Sequence, residues 1–256
     1  MNRERITSRS NPLIGRLKKL NSKRSARRGE GVFCGEGPKL LNEAVKWGAD
    51  LETVICLQDT ELPEMGDHVR IVEVPADLLG AVADTETPQG VVFVCRSSDL
   101  ALPRVLSGNR YLVLDGIQDP GNLGTIWRTA DAFGADGLIL CGNCADPWSP
   151  KTVRATMGAI FRLPVYEATL EETAGKLEAA GISLYATALR NDTVDVREIS
   201  MEKAAVIIGS EGRGISDLAL ELCQKTVKIP MTDRCESLNA AVAASVVLWE
   251  MARKEL

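Results

Sequence analysis

Residues 111–140 read YLVLDGIQDPGNLGTIWRTADAFGADGLIL, and their order of strand, tight turn, helix and strand decides the fold. The apolar run 111–114 has the character of a parallel strand covered on both faces. Residues 115–121 bring Gly, Asp, Pro and Gly close together, which is turn chemistry. Asn122 can cap the helix that follows. On that helix Leu123, Ile126, Trp127, Ala130 and Phe133 fall on one face at helical spacing, and Gly134 stands where a C-terminal cap belongs. Arg128 points roughly opposite, beside the small residues Gly124, Thr125 and Ala132. It is either a solvated surface arginine or a cation with room for a ligand against it.

The same alternation continues on both sides. Downstream, residues 149–161 read as helix, Thr169 and Glu172 form a capping box for a helix ending near Ala180, and 182–186, 204–209 and 226–229 read as strands. The last helix is expected over 238–254. Strands separated by helices imply a mostly parallel sheet covered on both faces, and such sheets bind ligands beyond the carboxyl ends of their strands. Upstream, strands are expected at 32–34, 51–57, 69–74 and 90–95, with helices at 38–47 and 76–83, a compact α/β unit. Periodicity fades over 96–109, so the domains are expected to span 1–106 and 107–256.

The composition is that of an ordinary globular protein, 45% apolar and 25% charged over 256 residues. No apolar run approaches the roughly 18–20 residues of a membrane helix, and the basic N-terminus lacks the apolar core of a signal peptide. The seven cysteines follow no framework spacing, which favours reduced thiols in a cytoplasm. The pair Cys141 and Cys144 is a lone CxxC, and His68 is the only histidine. A zinc site and a histidine-based nucleophile system are therefore both disfavoured, and no metal is expected. Net charge is −5 overall, yet residues 1–28 carry ten Lys and Arg against Glu4 alone, a local +9 that leaves −14 elsewhere. This basic stretch suits nucleic acid or is simply a solvated leader. Asn11 and Pro12 open a helix in it, with Leu13, Ile14, Leu17 and Leu20 as its apolar stripe.

Two more segments follow expected strands. In 206–216, VIIGSEGRGIS, three glycines let backbone pass close to a ligand. It is neither a Walker loop nor a GxGxxG turn. In 229–239, IPMTDRCESLN, Ser237 and Asn239 precede a helix apolar nearly all round. They are either its caps or site residues, and such a helix belongs in a core or a subunit interface.

Together LDGIQDPGNLGTIWRTADAFGADG, IIGSEGRGIS and IPMTDRCESLNAAVAASVVLWE, in that order, resemble the three motifs of the SpoU (TrmH-type) RNA ribose 2′-O-methyltransferases. ITSRSNPLI, GEGPKLLNEA and TPQGVVFV are similar to pieces of the substrate-binding module many members carry. The resemblance implies an α/β domain with a deep trefoil knot, preceded by a small α/β sandwich like some ribosomal proteins. It implies S-adenosylmethionine as cofactor and a homodimer with active sites at its interface. By position, Gly209, Ile229, Met231 and Leu238 would line the cofactor. Arg128, Glu211, Ser237 and Asn239 would surround the reacting ribose, and Asn122 would order the loop before Arg128. Arg9, Arg24, Arg27 and Arg28 are the expected RNA contacts of the basic stretch. Three positions depart from the family pattern: Asp233 for a frequent glycine, Trp127 for an aliphatic residue, and Arg213 for a common lysine. The two-domain layout favours ribosomal over transfer RNA.

Methyl transfer to a ribose hydroxyl needs neither metal nor covalent nucleophile, and holding the reactants in line can supply about 7–11 kcal/mol. Two rival readings fit less of the sequence. A non-catalytic RNA-binding module leaves the glycine-rich loops unexplained. A nucleotide-dependent oxidoreductase needs a third glycine that the turn at 121–124 lacks.

Overall fold

The computed structural model describes residues 3–190 and 192–254. Residues 1, 2, 191, 255 and 256, which fall within the expected domain spans, lie outside the described residues. The chain divides into two compact units, Met1–Ser98 with Asp146–Arg162, and Asp99–Ala145 with Leu163–Leu256.

The first unit contains β1 (Arg3–Arg5), α1 (Pro12–Ser22), α2 (Arg24–Glu30), β2 (Val32–Glu36), α3 (Pro38–Lys46), β3 (Leu51–Cys56), β4 (Arg70–Glu73), α4 (Ala76–Val82) and β5 (Val91–Arg96). Its sheet has the order β1-β4-β3-β5-β2, with β1, β4 and β3 parallel and β5 antiparallel to both β3 and β2. Side chains alternate across it. Val32, Cys34, Val92 and Val94 face a core built with Leu13, Ile14, Leu17 and Leu20 of α1 and Leu78, Leu79 and Val82 of α4. Gly35 is required beneath the aromatic ring of Phe93, since a Cβ there would lie 2.2 Å from it.

The basic stretch is thus part of a folded domain, not a free leader. Asn11 caps α1, accepting from the Leu13 amide. Arg3 pairs with Glu73, Arg9 with Asp77, and Arg16 with Glu30 and Glu52.

The second unit begins earlier than expected, because Leu102 and Leu106 belong to its core and the Glu167 amide donates to the Leu100 carbonyl. It runs through β6 (Arg110–Asp115), α5 (Pro120–Ala132) and β7 (Gly137–Cys141). The next segment, Asp146–Arg162, belongs to the first unit and carries α6 (Pro150–Ala155) and a 3-10 turn at Ala159–Phe161. The single helix expected over 149–161 is broken where Met157 and Gly158 take positive φ, 50° and 94°. In the first unit, Trp148 stacks on Phe33 with centroids 5.1 Å apart, and Arg27 binds Asp146.

The second unit resumes with β8 (Val165–Glu167), α7 (Leu170–Ala179), β9 (Ser183–Thr187), β10 (Val194–Asp195), β11 (Ala204–Gly209), α8 (Asp217–Leu222), β12 (Lys225–Lys228) and α9 (Ala240–Ala252). Its strands lie in the order β10-β12-β9-β11-β6-β7-β8, every pairing parallel. Helices α7 and α8 cover one face, and α5 and α9, packed on each other, cover the opposite one. The mostly parallel, doubly covered sheet is the one the sequence implies. From β6 the chain winds outward through β7 and β8, then crosses to β9 and back to β11. The winding direction therefore reverses at β6 and β11, the position where such sheets place a ligand crevice.

Candidate active site

Three loops leave the carboxyl ends of β6, β11 and β12 and meet at this crevice. The first enters α5. Asp119, not Asn122, is the N-cap, its side chain accepting from the Asn122 amide at 2.8 Å. Pro120 takes the first helical position, where its missing N–H costs nothing. The Asn122 side chain is thereby released to face the other two loops.

The second loop starts at Gly209. A Cβ there would meet the Gly214 carbonyl carbon at 2.2 Å and the Ile215 nitrogen at 2.4 Å, so glycine is demanded by closeness of backbone. Ser210 and Gly214 exchange backbone hydrogen bonds of 3.0 and 2.9 Å, which pinches the loop and leaves Glu211 at its tip. Asp115 of β6 accepts from the Ser216 amide at 2.9 Å and ties the loop's far end to the central strand.

The third loop ends at Asn239, which caps α9 by accepting from the Ala241 and Val242 amides. Helix α9 thus begins two residues later than expected, and the capping reading of Asn239 holds. Its amide nitrogen is spare, and it donates to Asn122 Oδ1 at 3.2 Å. Asn122 Nδ2 in turn donates to Glu211 Oε1 at 2.6 Å, and the Gln118 amide reaches Glu211 Oε2 at 3.4 Å. A hydrogen-bonded chain from Asn239 through Asn122 to Glu211 therefore joins the three loops. Partial burial pushes the Glu211 carboxyl up, but the donors around it, Asn122 first, outweigh burial and hold it below the ordinary carboxylate value. Glu211 is consequently an anion at neutral pH.

Beside this chain lies a cavity of about 460 Å³, within the range of small-ligand clefts. Gly209, Ile229, Met231 and Leu238 all line it, together with Glu211 and Ser237. It also takes Thr187, Ala188, Leu189 and Arg190, the residues at and beyond the end of β9, which sequence reading did not single out. Their position after a parallel strand was the available signal.

Arg128 is not gathered in. It is exposed on α5, does not line the cavity, and has no hydrogen-bond or ion-pair partner among the described residues. Among the RNA contacts expected in the first unit, Arg27 requires correction. It is 5% exposed, and its guanidinium donates to Asp146 at 2.6 and 2.9 Å and to the Leu20 and Asn21 carbonyls, so it is buried away from RNA. Arg24 and Arg28 are exposed, as is Arg9 beside Asp77.

No group of three or more His, Cys, Asp or Glu among the described residues could hold a metal. Cys141 and Cys144 are buried, and burial pushes their thiols up to about 12 and about 11, the opposite of a metal-binding thiolate pair. No helix among the described residues is long and apolar enough to cross a membrane.

The profile of the SpoU rRNA Methylase family matches residues 109–249, the stretch that builds all three loops. The chain belongs to the SpoU family. A second profile, the MRM3-like substrate binding domain, matches residues 11–92 of this SpoU protein. The SpoU chain is 32% identical over 249 residues to the 23S rRNA (guanosine(2553)-2′-O)-methyltransferase RlmP of Bacillus subtilis (strain 168), covering 97% of this chain and 99% of that protein. Among solved structures, an AdoMet-bound rRNA methyltransferase from Sinorhizobium meliloti matches with a TM-score of 0.87 and 32% identity over 99% of each chain. The SpoU methyltransferase AviRb from Streptomyces viridochromogenes, in complex with AdoMet, matches with a TM-score of 0.85 and 30% identity over 95% of this chain and 98% of that one. The departure at Trp127 has a local explanation. The ring is wholly buried, and its Nε1 donates to the Leu163 carbonyl at 3.0 Å, so the larger side chain leaves no polar atom stranded.

Proposed function

We propose that this SpoU protein transfers a methyl group from S-adenosylmethionine to a ribose 2′-hydroxyl of ribosomal RNA, working in the cytoplasm as a homodimer without a metal. The observation that carries this reading is the Asn239–Asn122–Glu211 chain at the rim of a cavity lined by Gly209, Ile229, Met231 and Leu238. The residues fit the cofactor. The cavity combines the apolar side chains of Ile229, Met231 and Leu238 with the chain at Gly209, suited to an adenosine and a flexible thioether chain. When bound, S-adenosylmethionine supplies a methyl group activated by a positive sulfonium.

The chain's own residues do the rest. Glu211, held anionic, and the two asparagines fix the three loops relative to one another, which is the positioning that in-line displacement requires. Ser237 lies on the cavity wall and can orient the ribose. Arg128 acts as a cation. A guanidinium stays protonated and has no acceptor in that form, so it holds the neighbouring RNA phosphate and stabilises the alkoxide as its proton leaves to solvent.

Within one chain Arg128 stands apart, and α9 leaves Val242 and Trp249 exposed at 49% and 51%. A second copy covering that apolar stripe completes the site. The deep trefoil knot belongs to the same reading, with the bond from Asn239 to Asn122, 117 residues apart, as the contact that supports it.

The deciding experiment is methyl transfer to ribosomal RNA from a strain lacking the gene, with ribose methylation mapped, alongside Arg128→Lys and Arg128→Ala in single turnover. Lys should keep partial activity and Ala little. Transfer by Arg128→Ala within about threefold of the unsubstituted protein, worth only ~0.7 kcal/mol of barrier, removes Arg128 from the mechanism. Failure to methylate any ribosomal RNA overturns the function itself.

A further inference from the structure

The largest cavity among those described does not lie at the methyltransferase site. It is a groove of about 760 Å³ in the first unit. One wall is α3, through Lys39, Asn42 and Glu43. A second is Thr85, Thr87 and Gln89, and a third is Arg154 and Met157. On α3, Lys39, Asn42 and Lys46 recur at three- and four-residue spacing and are all exposed, while Leu40, Leu41 and Ala44 turn into the core. The helix therefore presents one continuous polar stripe.

At the end of that stripe stands Trp47, an indole left half exposed, at 50%. Lys46 Nζ lies 5.6 Å and the Arg162 guanidinium 5.5 Å from its ring centroid. The ring therefore keeps half its surface in water with two cations held over it, an arrangement that offers a flat group a stacking surface and an anion a cation beside it. The acids nearby are already engaged. Glu43 binds Arg162, Asp84 binds Arg154, and Glu36 accepts from the Asp84 and Thr85 amides. Lys39 and Lys46 have no ion-pair partner among the described residues, so two lysines of the α3 stripe are open to a phosphate. Met157 adds an independent sign. It is 53% exposed and lines the groove in a left-handed conformation, φ 50°. Strained non-glycine backbone of this kind clusters where ligands are gripped, and an exposed thioether adapts to flat partners.

We propose that the α3 face and its groove form a binding site for an unpaired stretch of the RNA substrate, with Trp47 as the stacking platform for a base. The inference rests on the reading of this chain as an RNA methyltransferase and assigns the site on its first unit. An aromatic ring flanked by cations, next to a groove lined with hydroxyls and amides, is what single-stranded RNA recognition uses: bases stack, phosphates meet lysines, and base edges find Asn42, Thr85, Thr87 and Gln89. Duplex RNA hides its base faces and cannot use the platform. This surface, and not the residues around Arg27, then carries the sequence-sensitive part of RNA affinity.

The test uses the full-length protein and a fluorescein-labelled 12-nucleotide RNA of mixed sequence, single-stranded or annealed to its complement, read by anisotropy between 50 and 200 mM salt on the order used for such slopes. Trp47→Ala should weaken single-strand binding by roughly 5- to 160-fold, the range for one lost base stack, and Trp47→Phe should restore most of it. Lys39→Ala with Lys46→Ala should lower the salt slope by about 1.4, roughly 0.7 for each phosphate released. Cofactor binding by calorimetry should stay unchanged in all of them, which separates this site from the methyltransferase reading. The proposal is overturned if Trp47→Ala and the double lysine variant bind single strand within twofold of the unsubstituted protein at an unaltered slope. It is equally overturned if they keep their affinity for protein-free RNA and lose binding only to assembled ribosomal particles, which assigns the face to a protein. If Trp47→Ala shows the loss while no ribosomal RNA is methylated, the RNA site stands and the catalytic reading falls.

Discussion

Gly209→Ala should disable the site without unfolding the domain. The added methyl would begin 2.2 Å from the Gly214 carbonyl carbon and 2.3 Å from its oxygen, whereas ordinary contact starts near 3.4 Å. The loop backbone must therefore retreat by about 1.2 Å, and no side chain can move aside instead, because every atom in the way is main chain. Retreat stretches the two bonds between Ser210 and Gly214, at about 0.5–1.5 kcal/mol each, and carries Glu211 away from Asn122. A displacement of about 1 Å at reacting groups costs on the order of 100-fold in rate, or ~2.7 kcal/mol. Single-turnover methyl transfer should fall by about that factor and cofactor affinity should fall with it, while the far-UV spectrum is kept. Gly214→Ala is the control. There φ is 68° but nothing lies within 4 Å of the new carbon, so only backbone strain of about 1–2 kcal/mol applies, and the loss should be smaller. Methylation by Gly209→Ala within threefold of the unsubstituted protein would show that close backbone passage does not set this site.

Three further outcomes follow from the geometry. Arg27→Met should destabilise the first unit by about 3–5 kcal/mol, since it strands buried Asp146, and adding Asp146→Leu should recover much of that loss. An unmoved melting transition with weakened RNA binding would return Arg27 to the RNA surface. Asn122→Ala removes the main donor to Glu211. The depressed carboxyl contributes stability that is complete above its unfolded pKa and lost as pH falls through the folded one, so the variant should lose activity and cofactor binding at higher pH than the unsubstituted protein, a shift visible in a pH profile on the acid side. Val242→Glu with Trp249→Glu places charge on the exposed stripe of α9. Sedimentation should show a dimer for the unsubstituted chain, consistent with an obligate interface of more than about 2,000 Å², and a monomer for the variant. A monomer in both cases refutes the dimer.

Much of the second unit could be read from sequence because its central strands β6, β7 and β11 are buried on both faces and so appear as apolar runs, as in 111–114 and 204–209. The candidate site residues stand as glycines and polar groups after those runs. What sequence reading missed has separate causes. Asp119 and Asn122 are both competent caps by residue type, and only the entry angle fixed by Pro120 decides between them. The short strands β1, β8 and β10 hold three, three and two residues, too few to show a period. Arg27 looked like its basic neighbours because its partner, Asp146, lies 119 residues away. The break in the helix at Met157 carries no proline; its local mark is Gly158, which takes a φ of 94°.

The return of Asp146–Arg162 to the first unit has a consequence for synthesis. Residues up to 98 emerge first, but the unit they belong to lacks the partners of Phe33 and Arg27 until residue 162 has been made. At about 5–20 residues per second, the intervening 64 residues take roughly 3 to 13 s. During that interval an aromatic sheet face and a buried cation wait uncovered on the nascent chain. For the same reason no single cut in the gene separates the two units, and the first unit cannot be exchanged between proteins as one contiguous cassette.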